Sequence, residues 1–208
     1  VNVPFGGAKG GIQCRPREFS EGELQRLTRK FVDGIYDVIG DKKDIPAPDM
    51  NTNSQTMAWI FDQYCKYRGY SPGVVTGKPV EMAGSLGRAS ATGRGCVFAT
   101  LELLKSLGEK IEGKRIVIQG FGNVGSWAGC IFQGLGAKIV GISDITGGYV
   151  NPEGIDCEAA AEHVRQNRSL EGFAAERVEG GAVLTYDCDI LVPAALEGQI
   201  TSDNAARI

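Results

Sequence analysis

Ile116-Val117-Ile118-Gln119-Gly120-Phe121-Gly122-Asn123-Val124-Gly125 decides the fold class of this chain. An apolar strand runs directly into Gly-x-Gly-x-x-Gly, and a helix opens behind it. The glycine pattern is weak alone and becomes informative in this strand–turn–helix setting. Each glycine has its own reason. Gly120 permits the tight turn, Gly122 lets a pyrophosphate approach the backbone, and Gly125 lets helix and strand pack closely. Free N–H groups at the helix start then bind phosphate. Gly120, Phe121, Gly122, Asn123, Val124 and Gly125 therefore form the first expected group of cofactor-binding residues.

The strand that follows, Lys138–Ser143, ends at Asp144, 19 residues beyond Gly125. A carboxylate there accepts from the ribose hydroxyls of an adenosine half and repels a 2′-phosphate. Asp144, with Ile145 beside it, joins the expected site and favours NAD. NADP stays open, because a nearby cation would restore it.

Further out, strand and helix alternate: strand Arg115–Gln119, helix Asn123–Leu135, strand Lys138–Ser143, helix Glu158–Gln166. Short strands at Val183–Thr185 and Ile190–Val192 and a helix beginning near Thr201 complete the series. The alternation predicts an α/β domain, a parallel sheet wound on both faces of the Rossmann type. Before it, a helix is expected over Thr92–Leu107, ended by Gly108. Tyr70–Arg88 holds prolines and glycines without periodicity and reads as a crossing between domains.

Earlier still, Ser20-Glu21-Gly22-Glu23 is a capping box. Leu24, Leu27, Phe31, Ile35, Val38 and Ile39 follow at helical spacing. Asp44-Ile45-Pro46-Ala47-Pro48-Asp49 must be extended, because each proline excludes helix before it. A second helix spans Ser54–Arg68, with Met57, Ile60, Phe61 and Tyr64 as its apolar stripe and Gly69 as its end. Val1–Phe5 reads as a strand end. The domains are then 1–86, the C-terminal part of a substrate domain, and 87–208, the dinucleotide-binding domain. The sequence starts inside a strand and stops as a helix begins, so it is expected to be a fragment with unpaired sheet edges.

Two residues of the first part carry possible chemistry. Lys9 lies within Gly6-Gly7-Ala8-Lys9-Gly10-Gly11. It reads as a surface-loop lysine or as an acid–base group that small neighbours expose to substrate. Asp49, held by two prolines, reads as a turn or helix-cap aspartate. The residues alone do not single it out as functional.

Composition narrows the classes. Glycine numbers 30 of 208 residues, about twice the usual 7%, and it is clustered rather than spread like a linker. The net charge is only -3, so nothing steers the chain toward nucleic acid. Six cysteines without a CxxC pair and a single histidine argue against a metal site and for reduced thiols in the cytoplasm. No apolar run is long enough for a membrane span. Gly77-Lys78-Pro79 lacks the Ser/Thr and spacing of a P-loop. His163, Trp59 and Trp127 read as ordinary helix residues.

Several segments, in order and across essentially the whole chain, resemble glutamate dehydrogenases. They are Pro4–Gly11, Asp44–Asp49 with Thr56-Met57-Ala58-Trp59, Gly84–Arg88 with Ala91–Gly95, Gln119–Gly125, Ser143-Asp144, Asn151–Gly154 and Leu191–Ala195. The resemblance implies an NAD(P)-dependent oxidative deamination of L-glutamate to 2-oxoglutarate and ammonia. It implies a catalytic lysine at Lys9 and a proton-transferring aspartate at Asp49. It places Thr92 at the nicotinamide end, Asn123 at phosphate or ribose, and Ala194 and Ala195 along the cofactor cleft, with Arg88 in the same group. It implies assembly as a homo-hexamer at full length, with no nucleic-acid or membrane partner. One departure is Ser90, where many members carry an acid such as Glu. A leucine, valine or phenylalanine dehydrogenase on the same scaffold stays open, as does a non-catalytic nucleotide-binding module.

Overall fold

The computed structural model describes residues 6–208. The strand end expected over Val1–Phe5 lies outside the described residues. The chain divides into two compact units, one ending at Arg88 and one running from Ala89 to Ile208.

The first unit is built on two helices. Helix α1, Glu21–Ile35, starts at the expected capping box. The Glu23 N–H donates to the Ser20 hydroxyl, and the Ser20 N–H donates to the Glu23 carboxylate at 2.8 Å. Helix α2, Ser54–Arg68, is capped by Asn53 and closed by Gly69 at φ +76. Met57, Ile60, Phe61 and Tyr64 form a core with Val32, Ile39, Val74 and Val75. A polar seam joins the helices beside it. The Gln63 amide and the Tyr67 hydroxyl both donate to Asp33 Oδ1, at 2.6 and 2.7 Å. Those two bonds, the tyrosine's first, hold the Asp33 carboxyl below the usual range.

Two expectations shift here. Helix α1 stops at Ile35, not Ile39, because the chain turns so that Ile39 bridges Asp44. Val38 is left exposed. The deepest positions of α1 are Thr28 and Val32, while Leu24, Leu27 and Phe31 are half-buried. Nor is Tyr70–Arg88 a bare crossing: Val74 and Val75 are 0% and 1% exposed, within the first unit's core.

The second unit is α/β. Helix α3, Ala91–Ser106, precedes strand β1, Arg115–Gln119; helix α4, Asn123–Gly134, follows, then strand β2, Lys138–Asp144. Strand β3 is Gly147–Val150, helix α5 Cys157–Asn167, strand β4 Glu176–Val178 and strand β5 Ile190–Pro193. The sheet order is β4-β3-β2-β1-β5. Strands β1, β2 and β5 are parallel, and β3 and β4 add an antiparallel edge.

That edge was not anticipated: β3 pairs with β2 through both Gly147 and Gly148. A Cβ on Gly148 would clash with the Val183 and Val178 side chains, so glycine there serves packing. Val183–Thr185, expected as strand, lies in a 3₁₀ turn, Gly180–Thr185. The two glycines opening it relax the backbone, and Val183 still buries completely against Val117 and Val140. The helix expected from Thr201 is, among the described residues, a short 3₁₀ turn at Ala205–Arg207.

Helices α3, α4 and α5 contribute to one apolar cluster with Ile116, Ile118, Ile139 and Ile142. Gly93 lets α3 meet α4. A Cβ at that position would sit 2.8 Å from the Ala128 nitrogen, the Val124 carbonyl and the Trp127 Cβ. Backbone on two of those three sides cannot yield. Gly93→Ala is therefore expected to cost about 1–3 kcal/mol, the usual range for overpacking. Urea unfolding of the full-length protein measures it, and an unchanged midpoint would show that α3 and α4 separate freely.

Candidate functional site

In the first unit, the proline segment delivers Asp49 to a tight loop. The Asp49 N–H donates to the Thr52 hydroxyl at 2.7 Å, and that hydroxyl donates to the Asp49 carbonyl at 2.8 Å. The Met50 N–H donates to Asp49 Oδ1 at 2.7 Å. The other carboxylate oxygen, Oδ2, forms an ion pair with Lys9 Nζ. The cap of α2 is Asn53, so Asp49 is not needed as a helix cap. Its loop does use it as a turn aspartate, and one oxygen is still free to meet the amine.

Lys9 is surrounded by space. A Cβ built on Gly6, Gly7, Gly10 or Gly11 meets nothing within 4 Å. The Lys9 and Asp49 side chains are 81% and 57% exposed. Ion pairs so open to water contribute about 0–1 kcal/mol, so stability does not explain this one. An amine and a carboxylate side by side and open to solvent are equipped to hand protons to a bound molecule.

In the second unit, the glycine turn is shaped by its neighbours. Gly120 has φ +89, and a Cβ there would fall 2.7–2.9 Å from backbone of Ala194 and Ala195. Its N–H and that of Phe121 both donate to the Ser143 carbonyl, at 3.0 and 2.7 Å. Gly125 is pressed against the Gly120 carbonyl and Ile118. Gly122, by contrast, faces open space. It opens α4 without any side chain capping the first N–H groups. A phosphate therefore finds unobstructed backbone and the positive end of a helix dipole together.

The other expected cofactor residues of this unit lie around the strand ends or elsewhere on its surface. Asn123 Nδ2 donates to the Ala89 carbonyl at 3.1 Å, tying the turn to the entry of α3. Thr92 is exposed in the first turn of α3, and Ile145 is exposed beyond β2. Ala194 follows β5, and its N–H donates to the Gln119 carbonyl at 2.8 Å. Val124 is half-buried, and Phe121 is 2% exposed, its ring within the core. Only backbone of Phe121 can face a ligand. In the first unit, Arg88 is exposed.

Asp144 is already engaged. Its Oδ1 accepts from the Thr146 N–H and hydroxyl, at 2.7 and 2.5 Å, and its Oδ2 accepts from the Leu170 N–H at 2.6 Å. A carboxylate offers about four acceptor positions, so room for a ribose hydroxyl remains on Oδ2. Two residues that sequence reasoning did not single out also belong here. Ser143, 3% exposed, supplies the shared carbonyl. Gln119, 7% exposed, donates to Gln199 at 2.9 Å, while its Oε1 has no hydrogen-bond partner among the described residues. The signal for both was a polar residue closing an otherwise apolar strand.

Among the described residues no group of His, Cys, Asp and Glu gathers to hold a metal ion, and no helix is long and apolar enough to cross a membrane. His163, expected to be solvated, bonds to the Glu171 carbonyl at 2.9 Å and meets the Phe173 ring edge-on.

Comparison with known proteins agrees over both units. The family model described as glutamate/leucine/phenylalanine/valine dehydrogenase matches residues 83–208, and the dimerisation domain of the same group matches residues 1–66. Glutamate dehydrogenase A2 of Halobacterium salinarum is 47% identical over all of this chain and 50% of its own length. The Leu-bound form of a hetero-hexameric glutamate dehydrogenase from Thermus thermophilus superposes with a TM-score of 0.92 at 36% identity, over 100% of this chain and 49% of that one. A glutamate dehydrogenase of Peptoniphilus asaccharolyticus gives 0.71 at 40% identity, again over 100% and 49%. The chain thus spans about half the length of these relatives.

The double duty of Asp144 is measurable. Asp144→Ala strands the N–H of Leu170, a fully buried residue, and a buried donor left unpaired costs about 1–3 kcal/mol. Asp144→Asn keeps one acceptor oxygen and is expected to lose less. Equal denaturant midpoints for wild type and Asp144→Ala would show that the carboxylate holds nothing together.

Proposed function

The chain belongs to the glutamate/leucine/phenylalanine/valine dehydrogenase family, and we propose on that footing that it carries catalytic and dinucleotide-binding residues of an NAD(P)-dependent glutamate dehydrogenase. The observation that carries the proposal is the Lys9–Asp49 pair. A module that only bound a nucleotide would have no use for it. The chain spans half of each relative's length, so substrate, cofactor and assembly are all part of the proposal.

The residues fit a dinucleotide. Gly122 leaves the approach to α4 clear, and the helix start holds uncapped N–H groups for a pyrophosphate. Asp144 retains acceptor capacity for ribose, which favours NAD; a cation nearby would extend use to NADP. Thr92, Asn123, Ile145, Ala194 and Ala195 are assigned to the same ligand by the family resemblance, and so is Arg88. When bound, the nicotinamide takes the α-hydrogen of the amino acid as hydride.

The chain's own side chains handle the protons. Asp49 accepts one from the substrate ammonium, so that nitrogen can share its electron pair with the α-carbon and form an imine. Water adds to the imine carbon while the neutral Lys9 amine takes its proton, and Lys9 returns that proton to the nitrogen so that it can leave. Loss of ammonia leaves 2-oxoglutarate. The ion pair keeps amine and carboxylate within reach of one another, so a proton taken by one can pass to the other.

Glutamate is preferred over leucine, valine and phenylalanine because the Asp44–Asp49 and Gly84–Gly95 segments resemble the glutamate branch, and because the relatives compared bear that name. Hexamer formation is supported by the match to a dimerisation domain and by the hexameric Thermus relative. A cytoplasmic setting is supported by the six cysteines, all unpaired.

Lys9→Ala in the full-length protein is expected to lower kcat about a hundredfold or more, the scale of a lost general acid–base group. Melting temperature and dinucleotide affinity should stay at wild-type values, because the pair is exposed. Normal turnover in this variant removes Lys9 from the mechanism. Assayed side by side, glutamate should be oxidised faster than leucine, valine or phenylalanine. The reverse ranking would move the protein to a sister branch, and dinucleotide binding without turnover of any amino acid would make it a binding module.

A further inference from the structure

Asp49 is held in place by a second piece of chain, Val74–Gly77. Val74 and Val75 are fully buried in the first unit's core. The next residue, Thr76, donates its N–H to the Pro46 carbonyl at 3.0 Å. Gly77 follows with φ +69, a left-handed conformation in which side chains are strained. A Cβ built on it would lie 2.6 Å from both Cδ and Cγ of Pro48. The proline ring thus occupies the space that a side chain at position 77 would need. Pro48 is bonded directly to Asp49, and the Thr52 hydroxyl grips the Asp49 backbone from the other side.

The contacts form a continuous path. The core fixes Val74 and Val75, these fix Thr76 and Gly77, and this short backbone template fixes Pro46 and Pro48. Pucker moves Cγ of a proline ring but leaves Cδ tied to the backbone nitrogen, so a push on Cδ of Pro48 passes to Asp49. Lys9 sits in a loop where a Cβ on any of the flanking glycines would meet nothing within 4 Å, whereas Asp49 is bonded to Thr52 and Met50, so the carboxylate is the anchored member of the pair.

We propose that Gly77 is a positioning residue for proton transfer, setting the Asp49 carboxylate by leaving a slot for the Pro48 ring. The proposal rests on the reading of Asp49 as the proton-transfer group. Gly77 touches neither Asp49 nor Lys9 in the contacts described, and nothing in its own chemistry is used. Its absence of a side chain is its function.

The test uses the full-length enzyme with Gly77→Ala, Gly77→Asn, Pro48→Ala and the double variant Gly77→Asn with Pro48→Ala. Turnover, dinucleotide Kd and melting temperature are measured for each. Asn accepts left-handed backbone more readily than Ala, so Gly77→Asn should be the more stable of the two. Both should nevertheless lose kcat by about a hundredfold, the cost of misplacing a catalytic group by roughly 1 Å, with dinucleotide Kd unchanged. Pro48→Ala, which empties the slot without strain, should lose kcat more mildly. The double variant should return to the Pro48→Ala level, because the ring that the new side chain strikes is gone.

Wild-type kcat in Gly77→Asn overturns the proposal. So does kcat that follows melting temperature alone, or a double variant no faster than Gly77→Asn. If the Gly77 variants do not fold, Pro48→Ala decides: wild-type turnover there means that the slot is not what places Asp49. Asp49→Asn is the control that separates the two readings. If it turns over normally, the role of Asp49 fails and this proposal with it; if it is inactive while Gly77→Asn is normal, only the role of Gly77 fails.

Discussion

One carbonyl organises the second unit. The Ser143 oxygen accepts N–H groups from both Gly120 and Phe121, and so bends the chain leaving β1 across the end of β2. The turn cannot relax outward, because Gly120 is wedged beneath backbone of Ala194 and Ala195 beyond β5. Three parallel strands therefore meet at one short glycine turn. With its exit fixed, α4 has one direction available, and its uncapped start is aimed by backbone alone. The phosphate affinity proposed for that point would be a property of the sheet's geometry more than of any side chain.

The first unit solves a different problem. It anchors one carboxylate, Asp49, in a bonded loop and leaves one amine, Lys9, exposed. Prolines and a 3₁₀ turn at Pro72–Val74 do the first, since they bring rigid backbone to Asp49 from a packed core. A run of glycines does the second. The resulting asymmetry suits a proton relay, in which one partner defines the coordinate and the other adapts to substrate. A salt bridge chosen for stability would be more buried and better braced on both sides.

How much of this was legible depended on whether the signal was periodic. Strand β1, helix α2 and the glycine turn could be read because apolar spacing and turn chemistry agree there. The antiparallel edge of β3 and β4 was hidden: four and three residues are too few to show alternation, and Gly147-Gly148 carries the usual mark of a turn. The Gly180–Thr185 segment misled in the opposite direction, since Val183, Leu184 and Thr185 have strand-like side chains on a 3₁₀ backbone. At the sites, Asp144 could be read as the residue closing β2. Its bond to the Leu170 N–H could not, because a contact between residues 26 apart in sequence leaves no local pattern. Gly77 was equally silent, since its partner Pro48 lies far from it in sequence.

The excess of glycine has two physical sources that one number conceals. At Gly84, Gly93, Gly120 and Gly125 a Cβ would collide with backbone, so the missing side chain lets two segments touch. At Gly6, Gly7, Gly10, Gly11 and Gly122 a Cβ would meet nothing. Packing gives no reason for glycine at those five positions, and a chain under pressure for stability alone would replace some of them, since glycine weakens folding through the entropy of the unfolded state. They also fall beside the two places where chemistry is assigned, Lys9 and the start of α4. Open space alone does not mark a ligand, since Gly34, Gly95, Gly134 and Gly181 are equally open. At Lys9 and at the start of α4 that openness coincides with the chemistry assigned there, and the coincidence, not the open space, is what points to a ligand.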